Sequence, residues 1–274
     1  DYRIGFKWWA LIIAVVFVIS ELVCVVCVPE RPVACAEKPG KISDMFKALF
    51  KNDQAMTVVV SIILVYTSLN ICGNLVLYFF RFDVGNEGAY SIFAAVAFAA
   101  QVLVMMVIPL LRKRFSKSQL FISGFIIQIA GFAVILIMAF AKLYTPQSWY
   151  ILCLPGILIY LGYGMLNVIM TIFLSDSVDY GEVMNGTREE SVIFSMQTFT
   201  VKLASGVAVF LAGLVVDWIH LDTAAAVQTQ DTLDALRMWM TIPSVILLIV
   251  GIFVFKRFYK LDDTRMEEIK SKLN

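Results

Sequence analysis

The stretch from Asp176 to Lys202 reads DSVDYGEVMNGTREESVIFSMQTFTVK and separates two long apolar runs. Its first half carries seven ionisable side chains, which are Asp176, Asp179, Tyr180, Glu182, Arg188, Glu189 and Glu190. Its second half begins the next apolar run and contains one lysine, Lys202. An apolar run of about 20 residues predicts a membrane-spanning helix, and a charge inside one costs roughly 3 kcal/mol or more. Lys202 therefore requires a partner, a water-filled cavity or a function.

The whole chain has the composition of a membrane protein. It is 60% hydrophobic and 16% charged, whereas a soluble domain carries about 25% charge. We predict an all-α polytopic membrane protein with seven transmembrane helices, at about 7–29, 56–80, 89–111, 120–141, 149–174, 192–218 and 238–256. A net charge of +1 gives no reason to expect a nucleic-acid partner.

Catalysis and metal binding have little support in the sequence. His220 is the only histidine, and Cys24 and Cys27 form a CxxC pair inside an apolar helix with no second pair. The predicted helices also hold no Ser/Lys dyad and no paired aspartates. We therefore expect no enzyme, no cofactor and no metal site within this chain.

The basic residues predict how the helices are oriented. Lysine and arginine concentrate, by roughly three to one, in the connections that include 31–51, 112–117 and the carboxyl-terminal tail. Such connections face the cytoplasm. We expect a multi-pass protein of the inner (plasma) membrane, in contact with its lipid bilayer, with the amino end outside and the carboxyl end cytoplasmic.

The domain prediction has four parts. Because the chain opens on Asp1 rather than Met, we interpret it as beginning within a longer protein. Residues 1–30 would be the last helix of an otherwise missing amino-terminal bundle, and 31–55 a cytoplasmic loop with an amphipathic helix. Residues 56–256 would form a carboxyl-terminal six-helix bundle, and 257–274 a solvated cytoplasmic tail.

Polar residues recur on single faces of three predicted helices. Asn70 and Asn74 lie one turn apart on the second, and Asn167 lies near mid-depth on the fifth. They would either join helices by hydrogen bonds or line a solute cavity. On the sixth helix, the residues that step by three or four form one polar stripe, which comprises Ser191, Ser195, Thr198, Lys202 and Ser205.

Two features of the sixth helix and its preceding loop admit two interpretations each. Lys202 would either form a structural ion pair or face an aqueous cavity, although helices two to seven offer no acidic residue at its depth. Asp176, Asp179 and Arg188 would either form a charged gate that opens and closes, or belong to a solvated loop. On another face of the helix, Ala204, Ala208 and Ala212 predict a close-packing seam.

The run D-S-V-D-Y-G-E, followed by N-G-x-R-x-E and Q-T-x-x-V-K, resembles the signature of the glycoside–pentoside–hexuronide:cation symporters, a family within the major facilitator superfamily. The resemblance implies a fold with the last helix of the amino-terminal bundle and all six of the carboxyl-terminal bundle. It also implies a cytoplasmic gate between bundles, comprising Asp176, Asp179, Tyr180 and Arg188.

The same resemblance implies which residues lie close to the substrate. Gln197, Thr198 and Val201 would face the sugar, with Lys202 near the cation site. Asn167 stands where a member of the family has a tryptophan against the sugar. The family's cation-binding carboxylates lie in amino-terminal helices, so we expect no cation site within this chain.

The sequence therefore predicts a partial cation-coupled sugar symporter. A glycoside, pentoside or hexuronide would bind between two bundles, and its uptake by alternating access would be coupled to sodium or a proton. The alternative is a seven-helix receptor or retinal protein. A retinal lysine should lie in the last helix, whereas Lys202 lies in the sixth.

Overall fold

The computed structural model describes residues 2–27, 50–186, 188, 190–225 and 227–273, and these ranges contain helices and turns but no strand. The helices are α1 (Tyr2–Cys27), α2 (Asp53–Tyr78), α3 (Ala89–Leu111), α4 (Lys117–Phe140), α5 (Cys153–Asn185), α6 (Glu190–Trp218), α7 (Gln230–Phe258) and α8 (Asp263–Leu273). A π-helical turn, Phe79–Asp83, extends α2, and a 3-10 turn, Trp149–Leu152, precedes α5. Helices α1 to α7 are long and apolar enough to cross a membrane, which confirms the predicted fold class.

The chain divides into two compact units, residues 1–41 and 42–274. The first contains α1, and the second contains α2 to α8. The amphipathic helix predicted within 31–55 falls mostly on residues 28–49, which lie outside the described residues. The end of that predicted loop is helical, because α2 begins at Asp53.

Helix α2 is the centre of the second unit and packs against α5, α6 and α7. Its start is fixed by Asn52, whose side chain accepts a hydrogen bond from the Ala55 amide. Midway along, the Ser68 and Ser244 hydroxyls donate to each other's backbone carbonyl, at 3.0 and 2.8 Å, and so join α2 to α7. Because the bilayer core offers no water to buried polar groups, this reciprocal pair holds the two helices in one register.

Helices α4 and α5 approach closely because glycines face each other across their contact. A β-carbon placed on Gly162 would lie 2.5 Å from the Gly124 carbonyl oxygen and 2.6 Å from the Gln128 amide nitrogen. Both neighbours are backbone atoms, so neither gives way without moving a helix. Glycine at Gly162 thus permits this close packing, as small residues do between membrane helices.

We expect Gly162→Ala to destabilise the protein by about 1–3 kcal/mol, the usual cost of overpacking. The matched control is Gly206→Ala on α6, where an added β-carbon meets nothing within 4 Å. That change should be neutral or stabilising by up to about 1 kcal/mol, since alanine favours helix. Unfolding of both variants by denaturing detergent measures the difference, and equal stabilities would contradict the close-packing role.

Two predicted boundaries and the predicted environment of the tail need correction. Helix α5 continues to Asn185 rather than ending near 174, so Asp176, Asp179 and Tyr180 lie on a helix and not in a loop. Helix α7 starts at Gln230 and contains Arg237, although the sequence analysis placed that residue in a connection. The tail is not a solvated helix, because Leu261, Met266 and Ile269 are buried in a small core of their own.

Candidate functional site

Lys202 lies on the face of α6 that is turned away from the packed core. It is about 18 Å along the helix from Glu190, within a helix of about 44 Å. Its side chain is exposed, and within the described ranges it forms no hydrogen bond or ion pair. The buried side of α6 carries Ala204, Ala208 and Ala212, which confirms the predicted seam.

Most of the α6 stripe is exposed, as Lys202 is. Ser191, Ser195 and Thr198 are exposed, and Ser205 is half-buried. The Thr198 and Ser205 hydroxyls donate to the Phe194 and Val201 carbonyls, one turn earlier in the helix. Each hydroxyl oxygen therefore keeps an acceptor position for a solute or water. Gln197 and Val201, the other two predicted sugar-facing residues of α6, are half-buried.

Asn167 belongs to a polar and aromatic group between α5 and α2. Its side-chain amide donates to the Tyr66 hydroxyl at 2.6 Å. The Tyr66 ring packs edge-on against Tyr163, with ring centroids 5.5 Å apart, and Tyr163 packs similarly against Tyr160. Tyr66 was not predicted as a site residue, although it precedes Asn70 by four residues and so lies on the same face of its helix.

Asn70 and Asn74 follow Tyr66 along α2, and both are half-buried. Their amides donate to the carbonyls of Tyr66 and Asn70, each at 2.7 Å and within the same helix. These bonds are neither the interhelical contacts nor the solute contacts considered from sequence. Each amide oxygen has no hydrogen-bond donor within the described part of the chain, so both residues retain acceptors at this face.

Arg188 gathers three carboxylates at the turn between α5 and α6. Its guanidinium lies 3.1 Å from Asp179, 2.8 Å from Glu182 and 3.1 Å from Glu190. Hydrogen bonds to Glu182 and Glu190 raise the Arg188 pKa above its ordinary value. Three carboxylates around one guanidinium leave a formal charge of −2, so this cluster would attract a cationic surface.

Asp176 does not join the Arg188 cluster. Arg188 comes twelve positions later in the sequence, and Asp176 is more than two helical turns from the end of α5, beyond the reach of the arginine. Instead, Asp176 pairs with Lys117, at the start of α4, and both side chains are only 7% exposed. This pair was not predicted, because it joins residues 59 positions apart.

A second carboxylate connects that buried pair to α8. Asp263 lies 3.4 Å from Lys117 and 3.3 Å from Arg112. Partial burial favours the protonated form of Asp263, but the charges of Arg112 and Lys117 outweigh it and lower its pKa. Tyr180, predicted as a gate residue, packs against the buried residues of α8. The end of the bundle near α8 is thus held by both charge and apolar contact.

We expect Asp263→Asn to loosen α8 at neutral pH. The ordinary pKa of this aspartate is 3.8, and its folded value is lower, so its stabilisation is present above pH 3.8 and lost as pH falls below that value. Hydrogen exchange of the α8 amides should rise up to about fivefold, because partly exposed pairs contribute about 0–1 kcal/mol. The control is Glu267→Gln on the exposed side of α8, and equal exchange in the two variants would contradict the role of Asp263.

A third charged group lies at the opposite end of the bundle. Arg237 of α7 pairs with Asp83 at the end of the π-helical turn, and each side chain is 3% exposed. Arg237 also lies 2.7 Å from Asp234, and the Tyr144 hydroxyl donates to Asp83. Burial and this hydrogen bond raise the Tyr144 pKa. Arg237 lies one residue before the predicted helix 238–256, and this charged group was not predicted from the sequence.

No cluster of three or more histidine, cysteine, aspartate or glutamate side chains suited to a metal ion occurs among the described residues. The arrangement instead offers an unpaired ammonium, hydroxyls and amide oxygens on the exposed faces of α2, α5 and α6. Such groups bind a polar solute by charge and hydrogen bonds. Charged clusters lie beyond them, at the ends of the helices.

Comparison with known proteins identifies the family. Residues 2–263 match the family described as MFS/sugar transport protein. The chain is 25% identical over 233 residues to an uncharacterized symporter, YjmB, of Bacillus subtilis, covering 85% of this chain and 49% of that protein. It is 23% identical to the raffinose carrier protein of Pediococcus pentosaceus, covering 85% and 35%, and 25% identical to the isoprimeverose transporter of Lactiplantibacillus pentosus, covering 94% and 52%.

The chain therefore spans about half or less of the length of these relatives. Their names describe transport, as expected for a chain that is not an enzyme, and they do not favour the receptor alternative. The motif around Asp176 and Arg188 and the match over 2–263 agree on one assignment. The chain belongs to the MFS/sugar transport protein family, in the group of the glycoside–pentoside–hexuronide:cation symporters that its charged motif resembles.

Proposed function

We propose that this chain is part of a cation-coupled sugar symporter. Its substrate would be a glycoside, pentoside or hexuronide, taken up with sodium or a proton. Membership of a sugar-transport family supports the substrate class, and the name of the Bacillus relative supports coupling. The two bundles of the whole protein would alternate access by rocking about a site near the middle of the membrane.

The observation that carries the proposal is the unpaired ammonium of Lys202. A lysine facing hydrocarbon at this depth would be costly, and no carboxylate among the described residues neutralises it. Water in a transport cavity, or a carboxylate of a second bundle, would remove that cost. In either arrangement the α6 stripe would face the second bundle, and we propose that it lines the solute pathway there.

The proposed substrate-facing residues fall on three helices. Those on α6 are Lys202, Thr198, Gln197 and Val201, the one on α5 is Asn167, and those on α2 are Asn70 and Asn74. Tyr66 joins this set because it fixes the Asn167 amide. With their amide oxygens available, the asparagines would accept hydrogen bonds from sugar hydroxyls.

The proposed gate consists of Asp179 and Arg188, with Tyr180 and Asp176 behind them. The surplus negative charge around Arg188 would attract basic residues of the other bundle in one state and release them in the other. Asp176 would act less directly, because Lys117 already neutralises it. Its proposed part is to hold α4, α5 and α8 together beneath the gate.

The proposed organisation follows the sequence analysis. Residues 1–30 would supply the last helix of an amino-terminal bundle, 31–55 the link, and 56–256 the carboxyl-terminal bundle, followed by the tail 257–274. The protein would lie in the plasma membrane with the amino end of this chain outside and its carboxyl end in the cytoplasm. The basic residues near α8 support that orientation.

The test is uptake of a panel of radiolabelled sugars by membrane vesicles that contain the full-length protein. Sodium and pH gradients are imposed separately. The proposal expects at least one glycoside, pentoside or hexuronide to accumulate above its external concentration under one of the two gradients. Uptake that never exceeds equilibrium under either gradient, for any sugar of the panel, would overturn cation coupling.

A further inference from the structure

A crevice between α2 and α7, at the end of the bundle near α8, contains none of the proposed substrate-facing residues. Its walls are mostly apolar and comprise Phe50, Met56, Val60, Val254 and Phe258 with one hydroxyl residue, Thr57, and its mouth carries Asp53 and Lys260. Its volume is about 430 Å³, far above the roughly 30 Å³ that one water occupies. We propose that this α2–α7 crevice binds one phosphatidylethanolamine molecule of the surrounding bilayer.

The position of the crevice relative to the spanning helices favours a lipid. Asp53 is the first residue of α2, and Phe258 is the last of α7. The mouth therefore lies at the ends of two membrane-spanning helices, where phospholipid headgroups lie. From Asp53 to Val60 the crevice runs about 10 Å along α2. That depth accommodates the glycerol and the first part of an acyl chain against an apolar wall.

The charges at the mouth select the headgroup. The Lys260 ammonium lies 4.0 Å from the Asp53 carboxylate, and both side chains are more than half exposed. An exposed pair of this kind contributes little, so a ligand with both charges displaces it readily. Phosphatidylethanolamine carries a phosphate for Lys260 and an ammonium for Asp53. Phosphatidylglycerol has the phosphate alone, and its headgroup leaves Asp53 without a counter-ion.

Neighbouring residues hold Asp53 and Lys260, the two charged residues at the mouth, in place. The Arg257 guanidinium lies 5.5 Å from the centre of the ring of Phe258, which lines the crevice. The Asp53 carboxylate accepts a hydrogen bond of 2.8 Å from the Gln54 amide, and Tyr180 also interacts with it. The same Gln54 accepts a bond from the Lys260 backbone amide at 2.8 Å. One glutamine therefore fixes the separation of the two charged residues.

The test is native mass spectrometry of the purified full chain with phosphatidylethanolamine or phosphatidylglycerol of identical acyl chains. Lys260→Gln should reduce the phosphatidylethanolamine adduct about fivefold, the usual effect of one basic residue near a lipid surface. Lys256→Gln is the control, because Lys256 is exposed at the same helix end but does not line the crevice. Asp53→Asn should abolish the preference for phosphatidylethanolamine while leaving phosphatidylglycerol binding intact.

A second pair of variants tests the crevice itself. Val254→Trp fills it and should remove the bound lipid, whereas Ile249→Trp adds the same bulk on an exposed surface of α7 outside the crevice and should not. Phosphatidylethanolamine adducts that persist in Val254→Trp would overturn the site. A preference that survives Asp53→Asn would overturn the headgroup assignment. Neither result depends on transport activity, so failure here is distinct from failure of the proposed symporter.

Discussion

Lys202→Ala in the full-length protein is expected to abolish uphill sugar accumulation. The reason is that the ammonium of Lys202 is the one charge on the α6 stripe and has no carboxylate partner among the described residues. Removing a charge that faces a cavity should not destabilise the fold, since no ion pair is broken. The measurement is accumulation of radiolabelled sugar in energised vesicles, normalised to the amount of protein in the membrane.

Two companion variants separate function from packing. Lys202→Arg retains the charge but changes its shape and hydrogen bonding, so we expect partial accumulation. Leu203→Ala changes the adjacent exposed residue of α6, which lies outside the stripe, and should accumulate sugar normally. Normal accumulation by Lys202→Ala, at normal surface level, would remove Lys202 from the transport pathway.

The periodicity of the sequence was sufficient to predict the helices and the two faces of α6. Apolar blocks of membrane length predicted seven spans, and steps of three and four predicted both the alanine seam and the polar stripe. These features repeat along one helix, so a single sequence displays them. The resemblance carried by the motif from Asp176 to Lys202 predicted the family, which the match over 2–263 confirms.

Which distant residues form ion pairs with each other could not be predicted from periodicity. Lys117 looked like part of a basic turn, and only the folded chain brings it to Asp176, 59 positions later. Asp83 and Arg237 are separated by 154 positions. Each lies near a helix end, where charged residues are common, so neither position indicated a partner. Periodicity reports which face a residue occupies, but not which other helix meets that face.

The three apolar residues of the tail show a related limit. Leu261, Met266 and Ile269 are spaced among charges, which is typical of a solvated helix with a narrow apolar edge. In the structure that edge packs on Tyr180, Val183 and Tyr259, near the end of α5. The apolar stripe could be recognised from the sequence. The surface that it packs against could not, because that surface is formed by the ends of two other helices.

The two buried ion pairs lie at opposite ends of the same bundle. Lys117 and Asp176 join α4 to α5 near α8, while Asp83 and Arg237 join α2 to α7 at the other end. Rocking of one bundle against another requires each to move as a unit. Fixing the helices at both ends would give the second unit that rigidity.

Arg237→Gln should therefore be among the most destabilising single substitutions in this chain, costing about 3–5 kcal/mol. It leaves the Asp83 carboxylate buried, and among the described residues its one remaining side-chain partner is the Tyr144 hydroxyl. Asp83→Asn should cost less, because Arg237 still pairs with Asp234 at 2.7 Å. Unfolding by denaturing detergent measures both, with Arg81→Gln as the control at the same end, where an exposed pair contributes about 0–1 kcal/mol.

The double variant Asp83→Asn with Arg237→Gln distinguishes a broken pair from a general loss of packing. If the cost arises from an unpaired buried charge, removing both charges should restore part of the stability, and the double variant should be more stable than Arg237→Gln alone. Strict additivity would mean that the two residues act independently. In that case the Arg237 end of the bundle would be held by its apolar contacts, and the ion pair would add nothing to the rigidity that rocking requires.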